Sequence, residues 1–295
     1  MTFFLIFYVN QSHHRYFEYH NESMKLMGRV NDVATLAKAC LPTERARRIV
    51  RYMNAAHVVV YTGLSKTYDK GNFFDPLKTS HALLTEEETK RIVEEIDVEN
   101  NGPKPAFELI AWAMMDIRDA QQEGHLDTNE AYQMRELVLQ FRSTIAKIYV
   151  MATLPIPFFY VHFISILTAT YLPLFAIVVA FQTGSSDDNG SSGDNVPWWQ
   201  EVLSALVVVL QALFVIGLRI LGQQLSDPYG DDLIDLQIAR YIEMILNGSN
   251  QILQAKRVTP PSLATELKLK SQMTSIGKAY EYEEDEEELI VHKLD

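Results

Sequence analysis

The sequence predicts an all-α membrane protein with a large cytosolic helical region, and three observations carry that prediction. No Asp, Glu, Lys or Arg occurs from Ile148 to Ser186, and none from Val202 to Leu218. A spanning helix needs about 20 apolar residues, and an uncharged stretch of nearly twice that length far exceeds a core helix. Trp198-Trp199 opens the second apolar run, where tryptophans suit the headgroup region. Pro155, Pro157 and Pro173 punctuate the first run; they would break a soluble helix but are tolerated in a membrane bundle. The competing reading is a buried helical hairpin in a soluble protein.

The remaining segments read as helices in order. Residues 10–40 continue a helix from the apolar start, and after LPT (41–43) the stretch ERARRIVRYMNAAHVVVYTGLS has a basic first half and an apolar second half. KTYDKGNFFDPLKTSH (66–81) carries Gly, Pro and Asp-Lys signals and is predicted to be a loop. Thr85 and Glu88 have the spacing of a capping box ahead of EEETKRIVEEI. NNGPKP (100–105) breaks the chain, and PAFELIAWAMMDIRDA starts a helix with Pro105 near its beginning. Beyond Gly124, DTNEAYQMRELVLQFRSTIAKIYV is an amphipathic helix that leads into the first span, 154–181. The second span, 198–222, follows the loop GSSDDNGSSGDN, which carries acids and no base. Arg142 and Lys147 precede the pair of spans and Arg219 closes it. The positive-inside rule therefore places the loop on the non-cytoplasmic side and the bulk of the chain on the cytoplasmic or stromal side. Residues 256–295, with Pro260-Pro261, read as a linker and a disordered acidic tail.

Composition excludes several classes. One cysteine, Cys40, rules out an internal disulfide framework and a thiolate metal site. The net charge of −12 includes seven acids in EYEEDEEE (281–288), and without them it is about −5. No basic patch interleaved with aromatics is present, so nucleic acid is not an expected partner. MTFFLIFYVNQSHHRYF lacks a positive n-region and a cleavage site, and Thr2–Val9 is too short to span a bilayer. The chain is expected to begin inside an element.

No catalytic constellation is evident: there is no Gly-rich phosphate loop and no nucleophile elbow. His14 and Glu18, in the cluster HHRYFEYH (13–20), stand one helical turn apart and could share a metal or simply form a helix surface. QQLSDPYGDDLID (223–235) offers Gln224, Asp227, Asp232 and Asp235 around a Pro228–Gly230 turn. Oxygen ligands in a flexible turn are what Ca²⁺ prefers. The order is not that of an EF-hand, and a solvated turn that caps the next helix through Asp231 or Asp232 is the competing reading. The spacing leaves both open.

FVIGLRILGQQLSDPYGDDLIDL strongly resembles the segment of bestrophin anion channels in which the last transmembrane helix leads into the calcium clasp. Three other stretches fit the same family in order. FFLIFYVNQSHHRYFEYH resembles the pore-lining helix, RRIVRYMNAAHVVVYTGLSKTY with LTEEE the following cytosolic helix and loop, and LPIPFFYVHFISIL the start of the third transmembrane helix. The resemblance covers residues 2 to about 245, and the family's first transmembrane helix has no counterpart in it.

This resemblance implies a bestrophin-like channel domain over 1–255, in which 1–10 ends the pore helix and 11–147 and 223–255 are cytosolic helices. It implies a homopentamer, multi-pass in a plasma, thylakoid or other organelle membrane, passing chloride, with bicarbonate as a second candidate ion. The implied calcium clasp is Gln224, Asp227, Asp232 and Asp235, the implied pore neck Phe3 and Phe7, and Asn10 and His14 continue that face into a vestibule. Ile117-Arg118-Asp119 fits the anchor of a second, cytosolic constriction, but AQQEGHLD after it does not fit, and no residue is carried over there. Other readings are a non-conducting regulatory subunit of the same fold, a channel sequence incomplete at its front, and, in a different class, a His/carboxylate membrane metalloenzyme.

Overall fold

The computed structural model describes residues 2–64, 67–154, 157–184, 198–230 and 232–256. Among them the secondary structure is helical, without a strand. Helix α1 runs unbroken through Thr2–Cys40, and Pro42 ends the link to α2, Thr43–Tyr61. The second half of α2 is buried all round from Met53 to Tyr61, which makes it the central element of the helical bundle outside the two apolar helices. Its first half is basic but not a free basic surface. Arg45 meets Glu123 with two contacts of 2.9 Å, Arg48 grips Asp116 at 2.6 Å, and Arg51 grips Glu88 at 2.5 and 2.9 Å. Such pairs orient α2 more than they stabilise it. An exposed ion pair contributes about 0.2–1 kcal/mol, while burial of one Ile or Met such as Ile49 or Met53 contributes about 1.5–3 kcal/mol.

Of the segment 66–81, expected to be a loop, the described residues 67–81 are largely helical. Asp69 and Asn72 form a reciprocal capping box that starts a single wide π-type turn, Lys70–Phe74, and this runs directly into α3, Asp75–His81. Burial of Phe73 and Phe74 explains the order there. The Thr85–Glu88 capping box opens α4, Glu86–Lys90, which widens into a second π-type turn through Glu95. Helices α5 (Lys104–Gln122) and α6 (Thr128–Thr153) follow, the latter opened by a capping box between Asp127 and Glu130. α5 packs on α2, while α6 and α9 (Ile238–Gln254) pack on α1. Their core includes Leu26, Val30, Ile49, Met53, Leu109, Ile117, Phe141, Ile145 and Ile242.

Helices α7, Phe158–Gly184, and α8, Trp198–Leu225, behave differently. They pack on each other and α8 packs on α1, but most of their apolar surface is uncovered. Ile166, Leu174, Ile177, Leu206, Leu210 and Leu213 are all exposed. Only a small cluster, Leu5, Tyr8, Ile164 and Val215, joins α1, α7 and α8. A buried soluble hairpin is excluded by that exposure, whereas a bilayer accepts it. Pro173 lies inside α7, and Pro157 immediately precedes it. The connecting loop (185–197), Pro155 and the tail from 257 lie outside the described residues.

Candidate functional site: an acidic turn and an exposed helix stripe

The acidic turn begins in the last turn of α8. There the Ser226 N–H and hydroxyl both donate to the carbonyl of Gln223, and the Asp227 N–H reaches the carbonyl of Gln224 at 3.4 Å. Asp232 and Asp235 then lock each other. The Asp232 N–H donates to Oδ2 of Asp235 at 2.7 Å, and the Asp235 N–H donates to the carbonyl of Asp232 at 3.0 Å. The Leu236 N–H closes the loop on the Pro228 carbonyl at 3.0 Å. Helix α9 begins only at Ile238, so Asp232 does not cap its first turn; Asp231 lies outside the described residues.

Gly230 leaves room for the Asp235 carboxylate. A Cβ at that position would lie 2.6 Å from Oδ2 of Asp235 and 3.7 Å from the carbonyl oxygen of Asp227. The structure thus brings a carboxylate and a backbone carbonyl around one small cradle, both of them hard oxygen donors suited to Ca²⁺. Gln224 is half-buried, and Asp227 and Asp232 are exposed. Among the described residues no three His, Cys, Asp or Glu side chains gather closely enough to hold a metal by themselves. His14 Nε2 and Glu18 Oε1 are 3.8 Å apart on an exposed face.

What holds the turn was not evident from the sequence. Tyr229 is buried, its hydroxyl 3.0 Å from Ser23 Oγ of α1 and its ring edge-on to Tyr19 and Tyr61. Burial raises its phenol well above the ordinary value of 10.0, so it stays a neutral hydroxyl. Tyr16 donates to the carbonyl of Ile234 at 2.8 Å. Its neighbour Arg15 donates to the carbonyls of Met151 and Leu154 at the end of α6, where a cation complements the helix dipole. Two turns further along α1, buried Glu22 takes Lys147 at 2.7 Å and Lys25 at 2.8 Å. Desolvation works to raise this carboxyl, but the two ammonium groups outweigh it and hold it below the ordinary range.

The second feature is a stripe along the start of α1. Phe3, Phe7, Asn10 and His14 are all exposed and recur at helical spacing, while Leu5, Tyr8 and Ser12 on the other side are buried. Phe7 meets the ring of Tyr160 edge-on at 5.8 Å, and Phe3 is 74% exposed. The stripe is apolar and aromatic first, polar next, and is left open within one subunit.

Comparison with known proteins is consistent across sequence and structure. A family model described as Bestrophin, RFP-TM, chloride channel matches residues 1–255. Bestrophin homolog 14 of Caenorhabditis elegans is 24% identical over 249 residues, which are 82% of this chain and 55% of the worm protein. The chain therefore spans about half the length of that curated relative. A bacterial bestrophin homolog from Klebsiella pneumoniae superposes with a TM-score of 0.67 at 20% identity, covering 87% of this chain and 84% of the bacterial one. A further membrane-protein crystal structure gives a TM-score of 0.71 at 19% identity, covering 86% of this chain and 84% of the other. The likeness to these solved structures establishes the fold.

Proposed function

The chain belongs to the bestrophin family, and on that premise we propose that it is a subunit of a calcium-dependent anion channel. Copies of the chain, five by the family resemblance, surround one pore that passes chloride, with bicarbonate as a second permeant ion. The observation that carries this reading is the open stripe of α1, whose other face is packed against its own subunit. Around a symmetry axis, Phe3 and Phe7 become stacked aromatic rings, and Asn10 and His14 line a wetter vestibule below them. An apolar constriction gates by dewetting, and the positive edges of aromatic rings favour an anion over a cation.

In this reading Asp232 and Asp235, with Asp227 and Gln224, hold Ca²⁺ at the exit of α8. The cradle at Gly230 and the all-oxygen donor set support that assignment. The bound ion supplies positive charge that offsets the acids and fixes the turn against α1. Mutual hydrogen bonding of Asp232 and Asp235 already holds the ligands near one another, which lowers the ordering cost of binding.

Chloride efflux from liposomes reconstituted with the full chain, with and without Ca²⁺, is the direct test. Wild type is expected to conduct more when Ca²⁺ is present, and a variant carrying Asp232→Ala and Asp235→Ala is expected to lose that response. An unchanged calcium response in the variant would sink the clasp assignment. Absence of efflux from a correctly assembled oligomer would favour the regulatory-subunit reading.

A further inference from the structure

A cavity of about 540 Å³ opens where the start of α1, the end of α6, α7 and the exit of α8 meet. Arg15, Arg219, Tyr19, Gln223 and Ser226 lie on its wall, together with one acid, Asp227. Its volume falls in the range of about 300–1,000 Å³ typical of small-ligand sites, more than a single ion needs.

The two arginines are unlike most others in the chain. Arg29, Arg45, Arg47, Arg48, Arg51, Arg91 and Arg118 each pair with a carboxylate. Among the described residues, Arg15 and Arg219 do not. Arg219 donates to Ser165 Oγ of α7 at 3.0 Å, and Arg15 uses its Nη atoms on carbonyls and on Tyr19 while its buried Nε has no hydrogen-bond partner. The wall thus carries two guanidinium groups whose charge no ion pair neutralises, against one carboxylate.

Location narrows the ligand. Arg219 stands in the last two turns of α8, where an apolar span becomes polar, and the opposite end of the same helix opens with Trp198-Trp199. That is the depth at which headgroups lie. Guanidinium groups favour phosphate oxygens, which they bind through paired N–H donors. We propose that this cavity binds the phosphate of an anionic phospholipid headgroup, with Arg219 and Arg15 as its charge partners and Tyr19 supplying a hydroxyl. Binding there requires no ion flux, so it stands or falls separately from the channel reading.

The test is the thermal unfolding of the full chain in detergent micelles, titrated separately with phosphatidic acid, phosphatidylcholine and inorganic phosphate. Phosphatidic acid is expected to raise the unfolding midpoint, and phosphatidylcholine at the same concentration to leave it unchanged. Arg219→Gln removes one charge partner, while Gln223→Glu keeps the shape of the wall and adds a negative charge. Each is expected to weaken the apparent affinity by about tenfold or more. A shift produced equally by inorganic phosphate, and lost in both variants, would support the phosphate site and assign it to a soluble ester, overturning the lipid assignment. Equal effects of phosphatidic acid and phosphatidylcholine, or variants that respond as wild type does, would overturn the proposal.

Discussion

Glu88 is charged in a partly buried setting, and its surroundings explain how. Desolvation opposes the charge, but two contacts from Arg51, the Thr85 N–H and the Tyr52 hydroxyl overcome it, lowering the carboxyl from its ordinary 4.5 to about 2. A depressed carboxyl contributes stability that is fully present above the unfolded value and is lost as pH falls through the folded one. The loss attributable to Glu88 should therefore fall between pH about 4.5 and about 2. Glu88→Gln is expected to cost on the order of 2 kcal/mol at neutral pH and to remove that part of the acid dependence, as read from thermal melts across pH. Phe3 and Phe7, as the proposed pore neck, would serve conduction rather than stability. Both are exposed, so Phe3→Ala with Phe7→Ala should leave the melting temperature nearly unchanged while altering the chloride-to-cation permeability ratio in bilayer recordings. Identical currents would remove them from the pore.

Between elements, the close approach of α8 to the start of α1 depends on one glycine. A Cβ on Gly222 would lie 2.5 Å from the ring of Tyr8, closer than any real contact allows, so α8 can approach α1 only because no side chain stands there. Gly222→Ala is expected to lower the unfolding midpoint in detergent by several degrees, and to do so less in a Tyr8→Leu background, where the ring is gone. Equal effects in both backgrounds would show that the two residues are not coupled.

Legibility at this scale follows the range of the interaction. The capping box of Thr85 and Glu88 lies within four residues and can be read directly from the sequence. The one at Asp69 and Asn72 has Asn where the usual pattern has Glu or Gln, and a π-type turn follows it, so the helix beyond it reads as loop. The acidic turn is likewise legible in its own oxygens. Its anchors on Tyr16, Tyr19 and Ser23 are about two hundred residues away and leave no local signal. Only the fold brings them together.

At the scale of the whole subunit, α1 belongs to both halves. Its first two turns stand with the spans, and its last half is core to the main helical bundle. With 39 residues and no break, it is a rigid rod about 58 Å long. The acidic turn grips it near the middle, between Tyr16 and Ser23. In the proposed channel such a rod would act as a lever with its fulcrum at that grip. Tilting it by about 5° would carry Phe3 about 2 Å one way and Cys40 about 3 Å the other, from the rise of a straight α-helix. In that reading a rearrangement of a few oxygens around the fulcrum would become a displacement of the aromatic tip comparable to the radius of a small ion, with no break in the helix to absorb it.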